Sequence, residues 1–266
     1  MFTLSKKVIA ITGGGGALAS VMSTGLASMG ATIISLDRNI DAARQVVSTL
    51  PQGKHAAYPC DVLDKDAFEK VMETIVNDHG RIDILINAAG GNMSGATIGP
   101  DQNYHDIEIE HLNKVMQLNV QGTMIPASVV SKIMIQQGHG HIINISSMSA
   151  QQPLTRVVGY SASKAAIDNF TKWLSVELAS KHGESFRVNA IAPGFFIGEQ
   201  NRRLLLEEDG SLTARGHTII SQTPMGRFGD AEELVGTMVW LCSDASRFVT
   251  GTIIPVDGGF SAFSGV

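Results

Sequence analysis

Three side chains in the middle of the chain have the types and spacing that proton transfer needs. The segment "GYSASKAAIDNF" carries Tyr160 and Lys164 four residues apart, which places them on one face of a helix. Ser147 closes the apolar run "GHIINISS", thirteen residues before Tyr160. A phenol is a poor acid–base group at neutral pH, because its unperturbed pKa is about 10. Bringing it to about 7 requires on the order of 4 kcal/mol. An ammonium about 4 Å away, at an effective dielectric near 20, supplies on the order of 4 kcal/mol. One lysine is therefore sufficient in size. In that arrangement Ser147 holds a substrate oxygen and Tyr160 exchanges a proton with it. Taken singly, each residue has a bland explanation: a packed ring, a solvated amine, a turn serine.

The elements that must position these residues read as alternating strands and helices. "KVIAIT" (7–12), "ATIISLD" (31–37), "HAAYPCDV" (55–62), "DILINAAG" (83–90), "GHIINISS" (140–147), "FRVNAIAPG" (186–194) and "GTIIPVDGG" (251–259) are short apolar runs. Helical patterns separate them at 17–30, 39–50, 64–79, about 110–137 and about 160–182, and Asp230 with Glu233 forms a capping-box-like start for a last helix. Unbroken apolar strands are buried on both faces, and their alternation with helices implies right-handed crossovers and a parallel sheet. The expected fold class is α/β: a single-domain, Rossmann-type, doubly wound parallel sheet of about seven strands with helices on both faces. One domain is expected over 1–266, with an irregular, Gly-punctuated insertion at about 195–229. Such a segment is either a lid or a mobile insertion.

The first turn of that sheet is "IAITGGGGALAS", with Gly13, Gly14, Gly15 and Gly16 in a row. Glycine lets a backbone approach a pyrophosphate, and the N-terminus of the following helix favours an anion. Gly14, Gly16 and Ala19 fit G-x-G-x-x-A, although four glycines fit several registers, so the match alone is weak and a plain tight turn is the alternative. Asp37 adds weight: it ends the second strand 21 residues after Gly16, where a carboxylate accepts hydrogen bonds from ribose hydroxyls. A carboxylate there repels a 2′-phosphate, so NAD(H) is expected over NADP(H). The adjacent Arg38 softens that preference and leaves NADP(H) open.

Composition narrows the partners. Of 266 residues 44% are hydrophobic, ample for a core, and the net charge is −5. No basic stripe points to nucleic acid, and no apolar run approaches the length of a membrane span. The apolar part of "MFTLSKKVIAIT" is too short for a signal peptide. Cys60 and Cys242 are far apart and suggest neither a disulfide nor a zinc site, so a cytoplasmic setting is expected. His139 and His141 in "GHGH" lack a third ligand positioned by sequence, and no metal is expected.

In order along the chain, "TGGGGALA", "CDV" (60–62), "NAAG" (87–90), "LNV" (118–120), "ISS" (145–147), "YSASK" (160–164) and "IAPG" (191–194) resemble the short-chain dehydrogenase/reductases over nearly the whole length. The resemblance implies a Ser147–Tyr160–Lys164 set, with Asn119 holding a water against the lysine. It implies cofactor contacts from Gly13 to Gly16, Ala17 and Leu18, from Asp37 and Arg38, from Asp61 and Val62 around the adenine, and from Tyr160 and Lys164. Asn87, Ala88, Ala89 and Gly90 would line the central strand end, and Pro193 with Gly194 would lie beside the nicotinamide. Ala17 and Ala19 replace two glycines of the usual T-G-x-x-x-G-x-G, and Ala88 replaces the second Asn of N-N-A-G; alanine is small enough to keep the packing close.

A narrower resemblance rests on "PLTRVVGYSASKAA", "NAIAPGFF", "EQNRRLLLEEDGSL", "TPMGRFG" and "VDGGFSAFSGV". These are similar to the D-mannonate oxidoreductase (fructuronate reductase) branch, which implies NADH-linked reduction of D-fructuronate to D-mannonate. A sugar acid calls for a cation and several amide or hydroxyl partners. Asn92, Arg156, Gln200, Asn201 and Arg202 are the candidates, with Arg202 or Arg156 expected at the carboxylate. The competing readings are a gluconate 5-dehydrogenase type or another polyol dehydrogenase. A non-catalytic nucleotide-binding protein would be expected to have lost a member of the set. A 3-oxoacyl reductase fits less well, since 198–215 is polar and charged. Family members commonly form tetramers, so a homotetramer is expected.

Overall fold

Side chains of successive strand residues face opposite sides of a sheet, and this chain fills both sides. The computed structural model describes residues 1–198 and 201–265. Among them β1 (Val8–Thr12), β2 (Thr32–Asp37), β3 (Ala56–Pro59), β4 (Ile84–Asn87), β5 (Gly140–Ile145), β6 (Phe186–Pro193) and β7 (Ile253–Val256) form one seven-stranded sheet, ordered β3-β2-β1-β4-β5-β6-β7. Every pairing is parallel. In β1, Val8 and Ala10 enter one core cluster and Ile9 and Ile11 the other. The expected α/β architecture is the observed one.

Helices α1 (Ala17–Ser28), α2 (Ile40–Thr49), α3 (Lys65–His79), α4 (Ile109–Met116), α5 (Gly122–Gln137), α6 (Val158–His182), α7 (Arg202–Leu205), α8 (Ala214–Ser221) and α9 (Glu233–Cys242) connect or follow the strands. Phe68, Met72 and Ile75 of α3 join Val130 and Met134 of α5 and Leu174 and Leu178 of α6 on one face. Met22 and Leu26 of α1 meet Leu234 and Met238 of α9 on the other. Local signals set the ends. Asn39 and Asp64 cap α2 and α3 by accepting from Ala42 N–H and Ala67 N–H. Gly80 ends α3 at φ 81°, in the left-handed region.

Two features differ from the sequence expectation, and one capping contact matches it. The long helix expected over about 110–137 contains a π-helical turn at Gln117–Gln121. The stretch at 195–229, expected to be irregular, carries α7 and α8, tied by bridges between Phe196 and Gly229 and between Leu206 and Leu212. Glu233 does accept from Asp230 N–H at 2.9 Å, and the same carboxylate forms an ion pair with Arg227.

All strands run the same way, so Thr12, Asp37, Asn87, Ser147 and Gly194 emerge at or just beyond one edge of the sheet. The chain leaves β1 outward on both sides, and the strand order reverses between β1 and β4. Ligands in doubly wound sheets bind at that switch point.

Candidate active site

At the switch point the glycine turn and the β4 end touch. Gly13 has φ +63°, and a methyl there would lie 2.8 Å from Ala89 Cα, so only glycine fits both the conformation and the space. Thr12 Oγ1 accepts from Ala88 N–H and Ala89 N–H at 3.1 and 3.2 Å, fixing the Asn87–Gly90 run against β1. Asn87 Nδ2 donates to Asn144 Oδ1, and Asn144 Nδ2 to Thr171 Oγ1, both at 2.9 Å. That chain of amides ties β4 through β5 to α6.

Asp37 shapes the same turn. Its Oδ2 accepts from Gly15 N–H at 2.9 Å and its Oδ1 from Asn39 N–H at 2.8 Å. A carboxylate has about four acceptor sites, so two remain for ribose hydroxyls. Gly16 begins α1 with no side-chain cap, which leaves the first N–H groups of Ala17 and Leu18 and the helix dipole facing the turn. An uncapped helix start, a glycine turn and a carboxylate at the next strand end are the donor and acceptor set a dinucleotide requires, and these residues fit it. Arg38 is exposed beside Asp37. Val62 is buried and Asp61 exposed at the β3 edge, where Asp61 Oδ1 accepts from Leu63 N–H. Pro193 ends β6, and Gly194 N–H donates to Val256 O at 2.9 Å.

Asn119 sits in the π-helical turn and is fully buried. Its Nδ2 donates to Val115 O at 2.8 Å and to Gly91 O at 2.7 Å, while its Oδ1 accepts from Gly91 N–H. Val115 O is the acceptor that a regular helix assigns to the Asn119 backbone N–H. The side chain has inserted into the ladder, which widens the turn. A methyl on Gly90 would lie 2.7 Å from Asn119 Oδ1 and 3.6 Å from Lys164 Nζ, so both groups converge on that glycine.

Lys164, 5% exposed, donates from Nζ to Ile145 O at 2.7 Å and lies 5.5 Å from the Tyr160 ring centroid. Burial pushes its amine down to about 8, with the Asp168 carboxylate pulling upward. Burial raises the Tyr160 hydroxyl, and a hydrogen bond with Ser147 works against that rise. The amine donates to a carbonyl and lies 5.5 Å from the ring centroid, so burial rather than the ammonium is the larger influence on the phenol here. Ser147 starts a 3-10 turn, and its Oγ accepts from Ser149 N–H at 3.2 Å, leaving its own proton free to donate. Asp168 was missed in the sequence, although it lies one further turn along the same face of α6 as Tyr160 and Lys164. Its carboxylate accepts from Ser146.

Ser147 and Tyr160 open onto a cavity of 590 Å³ that Asn92, Arg156, Arg203 and Arg215 also line. Asn92 Nδ2 donates to Thr97 Oγ1 at 2.7 Å, and its Oδ1 is buried without a partner. Asn201 reaches the cavity wall, yet its amide donates to Phe196 O and accepts from Gly198 N–H, both at 2.8 Å. It shapes the loop rather than offering polar atoms to a ligand. Arg202 is exposed and does not line the cavity, whereas its neighbour Arg203 does; successive helical side chains diverge by about 100°. Gln200 lies outside the described residues. Arg215, which the sequence did not single out, carries no periodic or motif signal that marks it.

A parallel doubly wound sheet with a glycine turn, an acidic second-strand end and a buried Tyr–Lys pair defines a dinucleotide-dependent oxidoreductase scaffold. Residues 15–261 match a family model described as enoyl-(acyl carrier protein) reductase. A crystal structure from Haemophilus influenzae, provisionally described as a D-mannonate oxidoreductase with bound NAD, is 44% identical, covers 99% of this chain and 98% of that one, and superposes with a TM-score of 0.91. The uncharacterized oxidoreductase UxuB of Bacillus subtilis (strain 168) is 42% identical over 99% of this chain and 98% of its own length. The 5-keto-D-gluconate 5-reductase of Escherichia coli (strain K12) is 35% identical, with 97% of each covered. The chain belongs to the short-chain dehydrogenase/reductases, and it is an oxidoreductase acting on CH–OH groups.

Proposed function

We propose that the protein interconverts a keto sugar acid and its hydroxy acid with NAD(H), and that the pair is D-fructuronate and D-mannonate. The observation that supports this reading is the opening of Ser147 and Tyr160 onto a cavity where Arg156, Arg203, Arg215 and Asn92 stand among apolar side chains. Bound NADH supplies hydride to the keto carbon. Tyr160 gives its proton to the carbonyl oxygen, and Ser147 donates a hydrogen bond to the same atom. Lys164 and Asn119 hold the route by which Tyr160 regains a proton. The likeness to the E. coli 5-keto-D-gluconate reductase favours a second reading, a gluconate 5-dehydrogenase type with the same catalytic residues. A panel of D-fructuronate, 5-ketogluconate and an acetoacetyl thioester with NADH separates them. D-Fructuronate is expected to give the highest kcat/KM. Faster turnover of 5-ketogluconate selects the second reading, and NADH binding without any oxidation points to a non-catalytic nucleotide-binding protein.

The cofactor reading rests on Asp37. Its carboxylate accepts ribose hydroxyls and repels a 2′-phosphate, so kcat/KM is expected to be at least ~10-fold higher with NADH than with NADPH. Asp37→Ser should narrow the gap. Greater efficiency of the unaltered protein with NADPH would overturn the assignment.

A homotetramer accords with apolar side chains left exposed on α5 and α6, among them Met124 at 41%, Trp173 at 59% and Val176 at 66%. Exposure of this kind supports an interface, and a monomer or a dimer in sedimentation velocity would overturn the homotetramer. A cytoplasmic setting fits the two free, buried thiols of Cys60 and Cys242. Among the described residues no helix is long and apolar enough to cross a membrane.

A further inference from the structure

We propose that Arg156 and Arg215 together form a clamp for the substrate carboxylate, an inference that rests on the sugar-acid reading above and names the groups that recognise the acid. Both guanidinium groups line the 590 Å³ cavity with Ser147 and Tyr160. They come from different elements. Arg156 belongs to the stretch between β5 and α6, and Arg215 to the first turn of α8.

Arg156 is built in at a conformational cost. It has φ 75°, one of two non-glycine residues with positive φ among those described. Strain of this kind persists only where the surroundings over-determine it, and it gathers at ligand sites. Here Arg156 Nε donates to Ile98 O at 2.6 Å, and Ile98 N–H donates back to Arg156 O at 2.9 Å. The first bond holds the side chain by its Nε and the second holds the backbone, leaving the terminal nitrogens as the available edge. Arg215 extends to the adjacent residue, its Nη1 lying 3.4 Å from Thr155 Oγ1. Its helix is held in turn: Thr213 Oγ1 accepts from Gly216 N–H at 3.0 Å and donates to Leu204 O at 2.8 Å.

The charges around this point are of one sign. Arg203 is a third guanidinium on the cavity, no acidic side chain is among its described lining residues, and neither Arg156 nor Arg215 makes an ion pair among the described residues. Burial and the neighbouring Arg156 charge both lower the pKa of Arg215, as expected of two nearby cations with no counter-ion among the described residues. An arginine kept near another arginine calls for a planar anion, and a carboxylate has two oxygens to share between two forks. A neutral ketose offers no such relief. The clamp also explains why the segment carrying α7 and α8 lies against the cavity, since the ligand would bridge it to the wall at Thr155–Arg156.

The test compares D-fructuronate with D-fructose, which has CH2OH where the acid has its carboxylate. The unaltered enzyme is expected to prefer the acid strongly. Arg215→Met and Arg156→Met should each reduce that preference about 10- to 150-fold, the loss of one charge-assisted contact. The loss should appear in KM for the acid, while the NADH dissociation constant, read by fluorescence, stays unchanged. An unaltered enzyme with no preference for the acid overturns the sugar-acid reading and the clamp together. A preference that both variants retain overturns the clamp and leaves the reading standing. Should a Met variant lose NADH binding, Arg215→Lys carries the test: it keeps the charge but not the fork, and an unchanged KM for the acid overturns the clamp.

Discussion

Tyr160→Phe lowers kcat about 10³-fold, within the range general acid–base groups contribute, and leaves NADH affinity intact. The ring stays and only the hydroxyl goes, so the packing at the start of α6 is retained. No other side chain at the site can replace it as an acid. The Ser147 hydroxyl is far too weak an acid to give up a proton at neutral pH. The Lys164 amine is fixed on Ile145 O at 2.7 Å. Burial raises the Tyr160 hydroxyl above its ordinary value, so at neutral pH the proton is in place before a keto substrate arrives. That protonation state suits the reduction direction. Stopped-flow measurement of NADH oxidation, with cofactor binding titrated separately, checks the prediction. A loss smaller than tenfold would show that the proton comes from elsewhere.

The parts of this site that were legible in the sequence are those where one residue type answers one local need. β1 and β4 are apolar up to their last residue, and β2, β5 and β6 are buried along most of their length, because both faces are covered. Gly13 is required by a positive φ and by Ala89. Tyr160 and Lys164 share a helix face by spacing alone, and Asp168 was open to the same argument. What escaped depends on contacts made across the fold. The π-helical turn arises because Asn119 bonds Gly91, 28 residues away, and no periodicity announces that. Arg203 and Arg215 line the cavity where Arg202 was expected, because α7 and α8 are too short for a pattern and one residue of rotation exchanges inside for outside. The balance of forces on Tyr160 has the same origin. The sequence gives the spacing of the amine, while its commitment to Ile145 O and its distance from the ring are set by β5 packing under α6.

Lys164→Met is expected to abolish turnover and, at pH 7, to leave the protein at least as stable as the unaltered chain. Lys164 is 5% exposed, and burial takes its amine from an ordinary 10.5 down to about 8. That displacement corresponds to about 3 kcal/mol of destabilisation when the group is charged. Losing the hydrogen bond to Ile145 O offsets on the order of 1–3 kcal/mol. The sign with pH follows from proton counts. Below about pH 8 both folded and unfolded states hold the proton, and the folded state bears the whole penalty. Between about 8 and 10.5 the unfolded chain binds more protons, so the stability of the unaltered protein rises relative to the variant. Above that window both states are neutral and the penalty is gone. The raised thiols of Cys60 and Cys242 act oppositely at high pH, but they are common to both proteins and cancel in the comparison. Urea unfolding of the two at pH 7 and pH 10 measures the gap, and a gap independent of pH would rule out a buried charged amine. Activity should follow the same proton in the unaltered enzyme: kcat for reduction declines as pH rises through about 8, because the ammonium that supports proton return to Tyr160 is lost. Destabilisation and catalysis then have one cause, a charge kept under α6 with only a carbonyl and Asp168 to hold it.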